Sequence, residues 1–157
     1  ANAHAGTVIR SALFRLPSRV DNKAMPRVTY CDPEVASVGL SEEEARKGGR
    51  KPTLLRWPFS ENDRAQAERA TDGIIKVVVS HKGKVLGVTI VGKNAGDLLL
   101  PWIIAVQKGW NIRQMAAFVF PYPTMSEVSK RAAMLHLSPM ARQPWIRRIL
   151  GFLRKLG

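Results

Sequence analysis

Ile74-Ile75-Lys76-Val77-Val78-Val79, followed by Ser80-His81-Lys82-Gly83-Lys84 and then Val85-Leu86-Gly87-Val88-Thr89-Ile90-Val91, is the stretch that decides the fold. Two runs of β-branched residues flank a short polar segment with one glycine, which is the pattern of a β-hairpin. β-branched side chains suit a crowded pleat covered by neighbours. The hairpin is therefore expected at the centre of a sheet.

Working outward, the upstream chain supplies further strands. Pro26-Arg27-Val28-Thr29-Tyr30 is β-branched and aromatic, and Val35 to Leu40 follows after a break at Asp32-Pro33. Thr53-Leu54-Leu55-Arg56-Trp57-Pro58-Phe59 is another, with Pro58 restricting it to an edge or an end because proline has no N–H for a ladder. Between these, Ser41-Glu42-Glu43-Glu44 has the capping-box pattern and predicts a helix that stops at Gly48-Gly49. Ser60 to Ala70 is strongly charged and reads as a connection.

Downstream, Asp97 to Lys108 predicts a helix that is apolar on every side from Leu98 to Val106. Such a helix has to be covered all round, which suits a place between the sheet and another subunit. Pro101 lies either in its first turn or at a kink. Ile112 to Phe118 is a further short helix. Phe120-Pro121-Tyr122-Pro123 is then a stiff, extended loop, since each proline fixes its own φ and biases the residue before it. Thr124-Met125-Ser126-Glu127 predicts a second capping box, with the Thr124 hydroxyl accepting from the Glu127 amide and the Glu127 carboxylate reaching back. A helix through Val128, Ala132, Ala133 and Leu135 should follow, leaving Tyr122 presented at its mouth.

Composition limits the classes of function. The chain has 157 residues, 45% hydrophobic and 24% charged, enough for one globular domain with a genuine core. No apolar run is long enough to span a bilayer, and the start, Ala-Asn-Ala-His, lacks both Met and a signal-peptide layout. The expectation is a chain cut from something longer. Cys31 is the one cysteine, which excludes an intrachain disulfide, a Cys-x-x-Cys redox pair and a thiolate zinc site, and fits a reducing cytoplasmic setting. His4, His81 and His136 are scattered without ligand spacing.

The net charge is +13, and from Pro101 to the end there are nine Lys and Arg against one acid, Glu127. That asymmetry suggests an anionic partner: a membrane surface, a nucleic acid or an acidic neighbouring domain. The aromatics lie in core-like patterns and not along a basic face, so nucleic acid is not expected. Residues 138–157 predict a basic amphipathic helix, with Trp145, Ile146, Ile149, Leu150, Leu153 and Leu156 at helical spacing among Arg147, Arg148, Arg154 and Lys155. A helix of that kind lies on an anionic membrane, or packs on its own domain or across a dimer.

Several of these segments together resemble one family. Tyr30-Cys31-Asp32-Pro33-Glu34-Val35-Ala36-Ser37-Val38-Gly39 is similar to the Tyr-Thr-x-Pro-Glu-x-Ala-x-Val-Gly signature that opens the C-terminal dimerisation domain of pyridine nucleotide-disulfide oxidoreductases. Asn62-Asp63-Arg64-Ala65 resembles that group's Asn-x-Arg-Ala, Lys76 its Gly-x-x-Lys-Val, and Leu86 to Gly92 its Leu-Gly-x-x-Ile-Val-Gly. Phe120 to Glu127 is similar to its His-x-His-Pro-Thr-x-Ser-Glu, with Pro123, Thr124, Ser126 and Glu127 matching and Phe120 and Tyr122 standing where the histidines would be.

The resemblance covers roughly residues 26–137. It implies an α+β fold, an antiparallel sheet of four to five strands with packed helices. Residues 1–25 would be a remnant helix, over His4 to Phe14, and a linker from a missing FAD domain. The FAD site, the NAD(P)H site and the redox disulfide would lie in that missing part, since no Gly-x-Gly-x-x-Gly, phosphate-binding loop or Cys-x-x-x-x-Cys occurs here. The chain alone would then bind no cofactor and catalyse nothing. Its task would be to form a homodimer and insert the Pro121-Tyr122-Pro123 loop into the partner's site. The resemblance assigns Tyr122 and Glu127 to the catalytic group and Phe120 and Pro121 to cofactor contact, with no metal held by this chain.

Tyr122 matters most among the departures. Tyrosine titrates near ~10, so it is a poor general base at neutral pH. Mercuric reductases have tyrosine at this place as a metal-contacting group, so on this point the chain resembles their side of the family. The cysteine pair that they carry near the C-terminus has no counterpart after Cys31, and mercury reduction is not implied. Cys31 falls at the family's Thr position and reads as structural.

Overall fold

A computed structural model describes residues 2–17 and 24–138. Five antiparallel strands form one sheet: β1 (Arg27–Thr29), β2 (Val35–Gly39), β3 (Thr53–Pro58), β4 (Ile74–Val79) and β5 (Val85–Val91), in the order β1-β2-β5-β4-β3. The hairpin of β4 and β5 is central as its β-branched content predicts, with Val77 opposite Val88 and Ile75 opposite Ile90. β3 is an edge strand, and Pro58 is its last residue, opposite Ile74.

β2 meets β5 along Val35↔Val91 to Gly39↔Gly87. The two glycines at the end of this ladder are forced by close backbone approach. A Cβ on Gly39, whose φ is +75°, would lie 2.3 Å from the Leu86 carbonyl oxygen, and one on Gly87 would lie 2.2 Å from that of Leu40.

Helices cover mainly one face of the sheet. Ala36, Val38, Ile75, Val77, Val88 and Ile90 pack there against Trp102, Ala105, Ile112, Met115, Val128, Ala132 and Ala133. On the other face, Val78 and Leu86 pack with Ala45 of α2 (Glu42–Lys47). That helix forms as its sequence dictates: Ser41 accepts from the Glu44 amide at 3.1 Å, Glu44 accepts from the Ser41 amide at 2.7 Å, and Gly48 ends it.

The charged connection after β3 is more ordered than a loop. It contains a 3-10 turn, Phe59–Glu61, and a short helix, α3 (Asp63–Ala67), capped by Asn62. The helix expected over Asp97 to Lys108 is two: α4 (Ala95–Leu98) and α5 (Leu100–Lys108). They break at Leu99, and Pro101 lies in the first turn of α5, where a missing N–H breaks no helical bond. One side of α5 is covered by the sheet, through Trp102 and Ala105, while Leu100 is 60% and Ile104 38% exposed. In the single chain α5 is therefore not covered all round.

α6 (Ile112–Ala117) and α7 (Glu127–Met134) complete the layer. A buried hydrogen bond from Trp102 Nε1 to Ser129 Oγ, 3.0 Å, ties α5 to α7. At the other end of the chain, α1 spans Asn2–Ala12, and Val8, Ile9, Leu13, Phe14 and Leu16 are exposed. The basic amphipathic helix read from residues 138–157 lies, beyond Ser138, outside the described residues. Among the described residues no helix is long and apolar enough to cross a membrane.

Candidate functional site: the Pro-Tyr-Pro loop and its clamp

The loop starts from a firmly held helix. Asn111 caps α6 by accepting from the Arg113 amide at 3.1 Å, Gln114 accepts from the Asn111 amide at 2.8 Å, and buried Ile112 and Met115 fix the helix to the core. From its end the chain runs out along aromatic rings. Trp110 and Phe118 are 5.5 Å apart between centroids, and Phe118 meets Phe120 edge-on at 6.5 Å. Phe120 is thus half-buried by its neighbours, whereas Val119 is 93% exposed and Pro121 is exposed.

The Tyr122–Pro123 peptide is cis. The Thr124 hydroxyl donates to the Pro121 carbonyl at 2.7 Å, and the Ser126 hydroxyl lies 2.7 Å from Thr124 Oγ1. Thr124 has one hydroxyl proton, and the Pro121 carbonyl takes it, so Ser126 is the donor in that second contact. This use of Thr124 corrects the capping box expected there. α7 begins later, at Glu127, with Ser126 as N-cap in helical conformation and no side-chain cap. The Glu127 amide reaches the Thr124 carbonyl instead, at 3.4 Å. Met125, buried, then pins the turn to the core.

Two adjacent residues from the β3–β4 connection hold the loop from the other side. Asn62 is 3% exposed and uses both ends of its amide: Oδ1 accepts from the Ala65 amide at 2.9 Å, and Nδ2 donates to the Thr124 carbonyl at 3.1 Å. Beside it, Asp63 Oδ2 accepts from the Tyr122 hydroxyl at 2.9 Å. The Tyr122 ring is 68% exposed, so the side chain stands at the surface while its hydroxyl is tied down within the same chain.

That bond to Asp63 pushes the Tyr122 hydroxyl above the usual tyrosine pKa. The Asp63 and Glu127 charges act in the same direction, and Arg131 opposes them. Tyr122 is accordingly a neutral phenol at physiological pH, as its residue type implies. Glu127 is half-buried in the first turn of α7, on the loop side of the helix.

Phe120, Pro121, Tyr122 and Glu127 already share one short stretch of sequence, and in the structure the Glu127 charge acts on the Tyr122 hydroxyl. The structure adds Asn62 and Asp63, which the sequence shows only as part of a connection. The pattern Asn62-Asp63-Arg64-Ala65 could have signalled the helix cap, which the reading as a connection misses; nothing local signals the reach to a residue 62 positions later. Among the described residues no group of three His, Cys, Asp or Glu could hold a metal ion. Cys31 is exposed, and its thiol donates to the Pro33 carbonyl at 3.1 Å, a turn contact in keeping with a structural part.

Comparison with known proteins agrees with this architecture. Residues 25–133 match the family model for the pyridine nucleotide-disulphide oxidoreductase dimerisation domain. The dihydrolipoyl dehydrogenase of Geobacillus stearothermophilus is 35% identical over 136 residues, covering 86% of this chain and 29% of that protein. The leghemoglobin reductase of Glycine max is 39% identical over 116 residues, covering 73% and 22% respectively. Among solved structures, LpdA from Mycobacterium tuberculosis superposes with a TM-score of 0.74 at 25% identity, over 82% of this chain and 28% of that one. The chain therefore spans less than a third of the length of these relatives. The matched residues take in the whole sheet, the clamp and the loop. On these grounds the chain belongs to the pyridine nucleotide-disulphide oxidoreductase family, of which it is the dimerisation domain.

Proposed function

We propose that this chain pairs the subunits of an FAD-dependent, NAD(P)H-linked disulfide oxidoreductase of the cytoplasm, and that its Pro121-Tyr122-Pro123 loop enters the partner's active site. The observation that carries this reading is the exposure of Tyr122 and Val119 on a segment fixed at both ends. A loop tied down on its own domain, yet leaving its tip bare, is built to meet something outside that domain. The bare side of α5 at Leu100 and Ile104 offers the apolar area on which two copies would pair.

In this reading FAD and NAD(P)H are held by the parent's other domains, because this chain has no glycine-rich turn to receive their phosphates. Bound there, they supply the electron transfer. Phe120 and Pro121 contribute apolar contact at the edge of that site and no charge. Tyr122 offers a hydrogen bond near the redox thiols or contacts a metal substrate, and Glu127 helps to orient it.

A tyrosine at position 122 supports a parent like mercuric reductases in this one respect, although the relatives described above are named for other activities. Replacing Tyr122 by Phe in the full-length enzyme is expected to lower turnover by about tenfold, equivalent to ~1.4 kcal/mol of barrier, with FAD content unchanged. Unaltered turnover removes Tyr122 from the mechanism.

A further inference from the structure

The phenol of Tyr122 has one proton and an oxygen able to accept, and the two are not equally available. Its proton points at Asp63 Oδ2, 2.9 Å away. What remains to face outward is the acceptor side of the oxygen. Asp63 is itself fixed: it is the first residue of α3, next to the buried cap Asn62, whose amide holds the loop at Thr124. We propose that Asp63 is a positioning residue, which takes the Tyr122 proton so that the loop tip presents a hydrogen-bond acceptor, not a donor, to the group that meets it. The role given to the tip rests on the function proposed above; the Asp63–Tyr122 pairing does not.

The chemistry that follows is specific. An acceptor oxygen suits an incoming N–H, O–H or S–H donor, and it disfavours a second carboxylate or a thiolate. The charged groups around the phenol are Asp63 from α3 and Glu127 and Arg131 from α7, and the two acids outweigh the base in holding the proton on. For a group whose folded pKa is raised, the linked stabilisation is complete below the ordinary tyrosine range and is lost as pH rises through the raised value. Loosening of the clamp is therefore an alkaline event.

Only two tyrosines are present, Tyr30 and Tyr122, so one substitution isolates the second. In a Tyr30→Phe background, the Tyr122 ring is titrated by carbon-13 NMR in the 157-residue chain with and without Asp63→Asn. The expected result is a titration above the ordinary tyrosine value that falls towards it in Asp63→Asn, while Asp72→Asn leaves it in place. A midpoint that does not move with Asp63→Asn overturns the positioning role. Turnover of the full-length enzyme separates the two proposals. If the midpoint moves but neither Asp63→Asn nor Tyr122→Phe alters turnover, the pairing stands and the catalytic reading of the loop fails. If the midpoint moves and Asp63→Asn shifts the alkaline limb of the kcat profile, both stand.

Discussion

Asn62 does two jobs with one side chain. It is buried, caps α3 with its oxygen and holds Thr124 with its nitrogen. Replacing it by Ala removes an N-cap and leaves a carbonyl without its donor, a loss of about 1–3 kcal/mol. The expected reading is a lower urea midpoint with an unchanged m-value. Asn62→Asp should be no better, because it keeps the capping oxygen but loses the donor and buries a charge. The segment reads as a connection in the sequence, although Asn before Asp63-Arg64-Ala65 is a helix-start pattern that could have shown the cap. Thr124 shows the opposite case. Its spacing to Glu127 is right for a capping box, but α7 starts only at Glu127, and that residue's amide reaches the Thr124 carbonyl at 3.4 Å and not the Thr124 hydroxyl. Local pattern identifies which donors exist; competition among acceptors, fixed by the fold, decides where they go.

At the scale of elements, the sheet was legible almost throughout. β-branched content marks β4 and β5, Pro58 marks the edge, and paired Ser41 and Glu44 mark α2. The break between α4 and α5 was legible only in part: Pro101 marked a first turn or a kink, and the structure makes it the first turn of a second helix. The contact between β2 and β5 at Gly39 and Gly87 gives a sharp test. Gly87→Ala sets a methyl 2.2 Å from a main-chain oxygen that cannot rotate away, so the strands must separate. A destabilisation of about 3 kcal/mol is expected by denaturant titration. The cap of α2 gives another test. Hydrogen bonds from the Ser41 amide and hydroxyl region hold the Glu44 carboxyl below its ordinary value. A depressed pKa means that the stabilisation is present above the unfolded carboxylate range and is lost as pH falls through the lowered value. Because the Ser41 main-chain amide is the larger cause and survives any change of that side chain, the test is Glu44→Gln, which is expected to flatten the acid side of the stability profile, with little change in its shape near pH 9; equal loss at both ends would dissociate the Glu44 charge from the effect.

For the whole molecule, apolar exposure and charge act in opposite directions. Leu100, Ile104, Phe118 and Val119 lie bare, while each chain carries a net charge of +13. Two identical cations repel, and salt screens that repulsion over about 8–10 Å at ordinary ionic strength. Pairing of this chain, followed by sedimentation velocity, is therefore expected to tighten as salt rises, and Ile104→Asp to weaken it at every salt concentration. Pairing that weakens with salt would mean that opposite charges, and not apolar surface, join the copies. The hold of Asn62 on the loop has a last consequence. It grips the main-chain oxygen of Thr124 and no side chain of the Pro-Tyr-Pro tip. That grip is indifferent to what stands at position 122, whereas the second tie, from Asp63, exists only while a hydroxyl is there to donate. Losing the phenol would thus cut one of two tethers and spare the other, so the segment should slacken without coming loose.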